Sequence, residues 1–314
     1  IFSNHSLEMA LALGEKFKTV ITGFHVYTAR LHRERFRQLE VTLPQKYQEA
    51  GALEHQREIH QSLICQGLEA ISQSYLENCA RRCREQGVPF QGKVAEGKNY
   101  VEIIKEAGNC YDLVVMGAKG LGADPEQPVG SVCLRTVRRL QGLDVLVVRD
   151  GLLLNGTIMV ALDGSPNARI AMTLALDLAK GFATKVVVAA VYDPAFHQKV
   201  FDEMVGVLTP EAAGLFPREE QGNLHKQVID RGMARLCQED LKWAEETAKV
   251  KGVAITTFLL TGKPAIEIAR LAHRVSPCLL VMGRFGAHRV EGMDTGSTAE
   301  TLLLISQCNL LIAA

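Results

Sequence analysis

The feature that most narrows the fold is a long internal repeat. Tyr111-Asp112-Leu113-Val114-Val115-Met116-Gly117 returns as Cys278-Leu279-Leu280-Val281-Met282-Gly283. Upstream, Gly97-Lys98-Asn99-Tyr100-Val101-Glu102-Ile103-Ile104 returns as Gly262-Lys263-Pro264-Ala265-Ile266-Glu267-Ile268-Ala269. Downstream, Leu143-Asp144-Val145-Leu146-Val147-Val148 returns as Cys308-Asn309-Leu310-Leu311-Ile312-Ala313. The offset stays between 163 and 166 residues. A period that long means two copies of a domain, not a solenoid of short units. The 314 residues therefore divide into halves at 1–150 and 151–314.

Each half alternates apolar runs with amphipathic ones. In half two, residues 157–162 are apolar throughout and bounded by Asn155-Gly156 and Asp163-Gly164, which predicts a buried strand. Ser165 and Pro166 are cap and first-turn signals for the helix that follows. Strands are expected over 185–192, 254–260, 277–282 and Asn309–Ala313, with helices over 228–251, Pro264–Val275 and 297–307. Strands apolar on both faces, alternating with helices, imply a parallel sheet covered on both sides. Half one has the same order without a first strand, since residue 1 falls where that strand would end and a helix over 6–17 comes first. A parallel sheet lacking its central strand leaves two neighbours unpaired, so the strand is expected upstream of residue 1 or without regular structure.

After the fourth strand, both halves carry one glycine spacing. Gly117-Ala118-Lys119-Gly120 is followed after nine residues by Gly130-Ser131, and Gly283-Arg284-Phe285-Gly286 after nine residues by Gly296-Ser297-Thr298. Glycines there allow positive φ and close backbone approach. Gly-Ser at a helix start offers free amides and the positive end of the dipole to a phosphate, with hydroxyls alongside. The same residues would also serve as tight turns and plain caps. The pattern is neither the P-loop nor the dinucleotide fingerprint. Asp163 ends the first strand of half two. If strands one and four are neighbours it faces the Gly283 loop, either to accept from ribose hydroxyls or to cap the next helix.

Composition removes several alternatives. Lys plus Arg and Asp plus Glu both number 35, so nothing in the net charge favours nucleic acid or an anionic membrane. No apolar run approaches the roughly 20 residues of a membrane span, and no signal peptide is read at the start. The eight cysteines form no zinc or CxxC spacing, which points to reduced buried thiols and a cytoplasmic protein. Cys79 and Cys83 share a helix face.

Val160-Ala161-Leu162-Asp163-Gly164-Ser165, together with the doubled G-x2-G-x9-G-[ST] loop, resembles the universal stress protein family, and the resemblance covers nearly the whole chain twice. It implies two tandem adenine-nucleotide hydrolase-like, Rossmann-like α/β domains with five-stranded parallel sheets of order 3-2-1-4-5. Family members with this loop bind ATP, and those without it do not. Carried over by motif, Ala161, Leu162 and Asp163 would border adenine and ribose, and Val191 would contact adenine. Met282, Gly283, Phe285, Gly286, Gly296, Ser297 and Thr298 would hold phosphates and ribose. Val26, Met116, Gly117, Lys119, Gly120, Gly130 and Ser131 match in half one, where Asp163 has no counterpart. The family pairs domains through last strands, so 143–148 and Asn309–Ala313 are expected to pair within the chain as an intramolecular pseudo-dimer; a further homodimer is open.

The expected function is an adenine nucleotide-binding, ATP-binding stress-response protein with little or no turnover, with ATP alone or with Mg2+. The alternatives are a slow ATPase or phosphoryl- or nucleotidyl-transfer enzyme, and a non-binding tandem scaffold for protein partners. No catalytic residue and no metal site is assigned. Half two is expected to bind more tightly, because Arg284, His288 and Arg289 lie in its loop, whereas half one has Asp124, Pro125, Glu126 and Pro128. Insertions at 28–55 and 193–231 read as lids or helical padding. The first is rich in Arg, and the second carries Phe196, Phe201, Met204, Val205 and Phe216.

Overall fold

The computed structural model describes residues 2–120, 122–151, 154–195, 199, 203, 228, 231–287, 292 and 294–314. Half two follows its sequence pattern closely. Strand β5 (Ile158–Leu162) is buried at every position. It leads through Asp163-Gly164 to α6 (Pro166–Phe182), whose cap Ser165 accepts a hydrogen bond from the Ala168 amide at 3.2 Å. Then come β6 (Val186–Tyr192), α7 (Arg231–Lys251), β7 (Ile255–Thr261), α8 (Pro264–Val275), β8 (Leu279–Gly283), α9 (Ser297–Ile305) and β9 (Asn309–Ala313). The order β7-β6-β5-β8-β9 is the expected 3-2-1-4-5 arrangement, parallel throughout.

Half one supplies α1 (Phe2–Phe17), β1 (Ile21–Tyr27), α2 (Ala29–Leu39), α3 (Ala50–Glu85), β2 (Phe90–Glu96), α4 (Asn99–Ala107), β3 (Leu113–Gly117), α5 (Ser131–Arg139) and β4 (Asp144–Val148). The helix expected from residue 6 starts at Phe2, and Ser6 is buried within it.

The chain forms two compact units that do not follow the repeat boundary. One comprises residues 1–6, 112–130 and 141–314; the other comprises 7–111 and 131–140. In half two, β5 joins β6 on one side to β8 on the other. Among the described residues of half one no strand makes that bridge: β3 and β4 belong to the first unit, and β1 and β2 make a separate two-stranded parallel sheet in the second.

Within the first unit the sheet has seven strands, ordered β3-β4-β9-β8-β5-β6-β7. The join is the last-strand pairing expected from the sequence: β4 and β9 run antiparallel, with Val145 opposite Ile312, Leu146 opposite Leu311 and Val147 opposite Leu310. Each strand's first residue ties down the other's end. Asn309, fully buried, accepts at Oδ1 from the Arg149 amide at 2.8 Å, and Asp144 Oδ1 accepts from the Ala314 amide at 2.8 Å.

Within the second unit, α3 runs for 36 residues and packs on β1 and β2. Leu11, Cys83 and Val88 form a small core there with Leu7, Ile21 and Phe90. The first insertion is thus mostly helical, α2 lying against α3. In the second insertion, Phe196, Phe201, Met204, Val205 and Phe216 lie outside the described residues.

Candidate functional site

The pairing of β5 with β8 stops early. Ile158, Met159 and Val160 sit opposite Leu279, Leu280 and Val281. Beyond that, β5 continues alongside β6 to Leu162 and β8 alongside β9 to Gly283. The two central strands therefore part at their carboxyl ends, and strand order reverses across that gap. This is where open α/β sheets take their ligands. Ala161, Leu162 and Met282 are buried at the base of the gap, and Val191, near the end of β6, is half-buried.

Asp163 stands at the rim and supports the Ser165 cap rather than capping α6 itself. Its Oδ1 accepts from the Ser165 amide at 3.1 Å and the Ser165 hydroxyl at 2.6 Å, organising the start of α6. Its Oδ2 accepts from the Ala287 amide at 3.0 Å, across the gap in the glycine loop. The carboxylate thus ties the β5 turn to the loop after β8.

The loops in both halves close in the same way. The Ala118 amide donates to the Val148 carbonyl at 2.8 Å and the Gly130 amide to the Ala118 carbonyl at 2.7 Å. In half two the Arg284 amide donates to the Ala313 carbonyl at 2.7 Å and the Gly296 amide to the Arg284 carbonyl at 2.9 Å. The repeated glycine spacing therefore encodes a loop whose second limb folds back on its first.

The reason for glycine differs from the sequence expectation. None of Gly117, Gly120, Gly130, Gly283, Gly286 or Gly296 adopts positive φ; in this region that backbone belongs to Gly164, at 74°, and to Gly292 within the loop, at 87°. Crowding by the protein itself sets the rest. A Cβ on Gly283 would lie 2.8 Å from the Ala168 nitrogen and the Asn167 carbonyl carbon, because the first turn of α6 rests on that residue. On Gly296 it would lie 2.9 Å from the Arg284 carbonyl oxygen, and on Gly286 2.6 Å from Asp163 Oδ2. Gly120 is the exception, with open space where a Cβ would go.

At the far limb, Gly296 opens α9 and no side chain caps that helix. Its first amides have no intrahelical acceptor. Ser297 is exposed and Thr298 half-buried beside them; Gly286 and Ala287 are exposed at the same rim. The result is a cradle of backbone donors at a helix start, with hydroxyls alongside, suited to an oxyanion.

Two expectations about charge change. Arg284 does not line the loop mouth. Its side chain is 1% exposed, donates from Nη2 to the Leu143 carbonyl at 3.4 Å and lies within electrostatic reach of Asp144. Burial pulls its pKa down, and Asp144 pulls it back up. Phe285 is likewise buried, its carbonyl accepting from the Ser165 hydroxyl at 3.3 Å. His288 and Arg289 lie outside the described residues.

In half one, Met116, Gly117, Lys119, Gly120 and Gly130 lie in the first unit, and Val26 and Ser131 in the second. Lys119 Nζ donates to the Pro125 carbonyl at 2.8 Å, and Arg149 Nη1 to the Pro128 carbonyl at 3.0 Å. Asp124 Oδ1 accepts from the Glu126 amide at 3.0 Å, so one of the two loop carboxylates holds the turn together.

Asp240, on α7, was not anticipated from the sequence. Its carboxylate packs on the Asp163-Gly164 turn, 2.4 Å from where a Gly164 Cβ would stand. Burial raises its pKa most; Arg169 lowers it, and the charge of Asp163 raises it again. Arg169 reaches Asp240 Oδ1 at 3.5 Å and the Gly164 carbonyl at 3.3 Å, and lies 4.7 Å from the ring centroid of Trp243. Asp240 follows Asp163 by some 77 residues and has no local motif. Only the glycine at 164, where the turn must admit a foreign carboxylate, hinted at a close neighbour.

Comparison with known proteins adds three findings. The model of the universal stress protein family matches residues 2–149 and again 155–314. A universal stress protein from Methanocaldococcus jannaschii is 29% identical over 167 residues, covering 53% of this chain and 86% of its own. A universal stress protein crystal structure from Archaeoglobus fulgidus has a TM-score of 0.62 at 17% identity, covering 99% of this chain and 93% of that one. A protein of unknown function from Pseudomonas aeruginosa PAO1 follows at 0.56 and 13%, covering 96% and 94%. At those identities the structural likenesses speak for the fold alone. No described helix is long and apolar enough to cross a membrane.

Proposed function

The chain belongs to the universal stress protein family, and from that premise we propose that it binds adenine nucleotide, ATP alone or with magnesium, in the gap between β5 and β8, as a regulatory rather than a catalytic protein. The observation that carries the reading is the open strand gap with an uncapped helix start on its far rim. A phosphate tail would lie against the first amides of α9 and the hydroxyls of Ser297 and Thr298. Ala161, Leu162, Met282 and Val191 would provide the apolar floor for a base. Asp163 would exchange the Ala287 amide for ribose hydroxyls, so that occupancy releases the tie across the loop. Buried apolar walls with a few aimed polar groups are what such ligands need.

Half two is the stronger site in this reading. Asp163 stands at its rim and ties the β5 turn to the glycine loop. The preference no longer rests on Arg284. Turnover is not part of the proposal, because the carboxylate at the site already accepts three hydrogen bonds and is poorly placed as a general base.

Nucleotide extracted from the purified protein and identified by mass is the direct test. ATP or ADP is expected in near-stoichiometric amounts for one site, with no steady-state hydrolysis above background in magnesium. Gly296→Val should abolish most of the binding and Gly130→Val little of it. Absence of bound nucleotide together with no heat on titration with ATP would overturn the reading, and the reverse ranking of the two variants would overturn the preference for half two.

A further inference from the structure

In the second compact unit, three cations gather on one aromatic ring. Tyr100 lies in the first turn of α4, and Arg135 and Arg139 lie one turn apart on α5, which packs against α4. The guanidinium carbons of Arg135 and Arg139 are 5.3 and 5.2 Å from the Tyr100 ring centroid, and Lys98 Nζ is 5.5 Å away. Arg139 Nη1 also reaches the Tyr100 hydroxyl at 3.5 Å. Lys98, Arg135 and Arg139 are exposed and Tyr100 is half-buried.

Such a cluster runs against ordinary surface design. Arg135 and Arg139 are a like-charge pair on one helix face, which is unfavourable by itself. Several arginines elsewhere meet carboxylates: Arg33 with Glu96, Arg57 with Glu40, Arg81 with Glu85, Arg235 with Glu239. Here, among the described residues, no carboxylate pairs with Lys98, Arg135 or Arg139. The nearest acidic residue on α4, Glu102, turns its carboxylate back toward Gly97 and lies 3.9 Å from Lys105. Glu96 is taken by Arg33. The face of the ring offsets part of the repulsion and holds together guanidinium groups whose side chains are exposed. Preorganised guanidinium donors with a nearby ammonium form a receptor for a multiply charged oxyanion.

We propose that Lys98, Tyr100, Arg135 and Arg139 form a second anion site, which takes an oligophosphate chain. It uses none of the glycine-loop residues and stands whether or not those loops bind nucleotide. Three cations around one ring suit a ligand carrying three or more negative charges over a short span, which inorganic tripolyphosphate provides and acetate does not.

The test uses the full chain with its six tyrosines carbon-13 labelled on the ring, the Tyr100 signal being assigned through Tyr100→Phe. Titration with inorganic tripolyphosphate is expected to shift the Tyr100 signal saturably, more weakly at high salt, with no shift from acetate. Arg135→Gln with Arg139→Gln should weaken that binding by at least about tenfold, and Lys98→Gln, at a helix cap, should weaken it less without disturbing the fold. Gly130→Val with Gly296→Val should leave the shift intact, which separates this site from the nucleotide loops. No saturable shift in the wild-type chain would overturn the proposal. So would a shift that survives the arginine changes, or one that disappears with the glycine changes in protein that still melts cooperatively.

Discussion

Adding one methyl group at Gly283 isolates what the glycine loop requires of the fold. A Cβ there meets the Ala168 nitrogen, the Asn167 carbonyl carbon and the Asn167 Cβ, each at 2.8 Å. Two of those are backbone atoms in the first turn of α6, so no rotamer change relieves the contact. Either α6 retreats or β8 bends. Helix α6 buries Ala168, Ala171, Met172, Ala175 and Leu176 against the sheet, and those contacts loosen if it retreats. Overpacking of this kind costs about 1–3 kcal/mol. A domain of this size loses about 2–4 °C of Tm per kcal/mol, so Gly283→Ala should melt lower by several degrees. Gly120→Ala is the control. It lies in the equivalent loop of half one, three residues after Gly117, has nothing within 4 Å of the added carbon and does not adopt positive φ. Its stability should stay within about 0.5 kcal/mol of wild type. Thermal and guanidinium melts of both variants at equal protein concentration decide the matter. If Gly283→Ala melts with wild type, or Gly120→Ala falls as far as Gly283→Ala, the packing account of the repeated glycines is wrong.

Two further perturbations address the rim. Asp163→Ala removes the acceptor for the Ser165 amide and hydroxyl and for the Ala287 amide. It should weaken ATP binding by about tenfold or more while costing about 1 kcal/mol of stability, as read by calorimetric titration and melting; unchanged affinity would remove Asp163 from the site. Asp240 has its folded pKa raised above 3.8, burial being the main cause. The folded state therefore keeps a proton that the unfolded chain has lost, and this contribution is most favourable at low pH and declines as pH rises above about 4. Asp240→Asn should flatten that decline in guanidinium melts between acid and neutral pH, and an unaltered slope would mean the carboxylate is better compensated than its surroundings suggest.

How far the sequence led can be judged residue by residue. The strands of half two were legible because each is a short apolar run bounded by turn residues, and Ser165-Pro166 marked the start of α6 by local chemistry alone. The pairing of β4 with β9 was legible through the repeat. The division into compact units was not, since it depends on which strand bridges which: β5 joins β6 to β8, whereas among the described residues no strand joins β1 and β2 to β3 and β4. The loop glycines were found for their spacing but explained by the wrong term: backbone freedom was expected, and close approach of α6, of the Arg284 carbonyl and of Asp163 is what requires them. Arg284 was misplaced because a cation in a phosphate-type loop reads the same whether its side chain points outward or back over β9. Asp240 lay beyond reach altogether, as no local pattern links α7 to the β5 turn.

The buried end of that misplaced arginine says something about why two halves share one chain. Arg284 lies within electrostatic reach of Asp144, and each moderates the effect of burial on the other's pKa. Their counterparts in the repeat are Ala118 and Asn309, a neutral pair. A dimer of identical chains would have to place the same couple on both sides of its last-strand pairing. The fused chain places a charged couple on one side and a neutral one on the other, so the two halves are distinguished at the join of β4 and β9. A double-mutant cycle tests whether the couple acts as a unit. Asp144→Asn alone removes the carboxylate that offsets a buried guanidinium, and Arg284→Ala alone removes the cation that offsets a buried carboxylate and opens space over Leu143. Both together recreate the Ala118 and Asn309 pair, and the Asn retains an acceptor for the Ala314 amide. The double variant should therefore lose less than the singles combined, with a coupling of about 0.5–3 kcal/mol in guanidinium melts. Strict additivity would mean that the charge of Asp144 contributes nothing to the join.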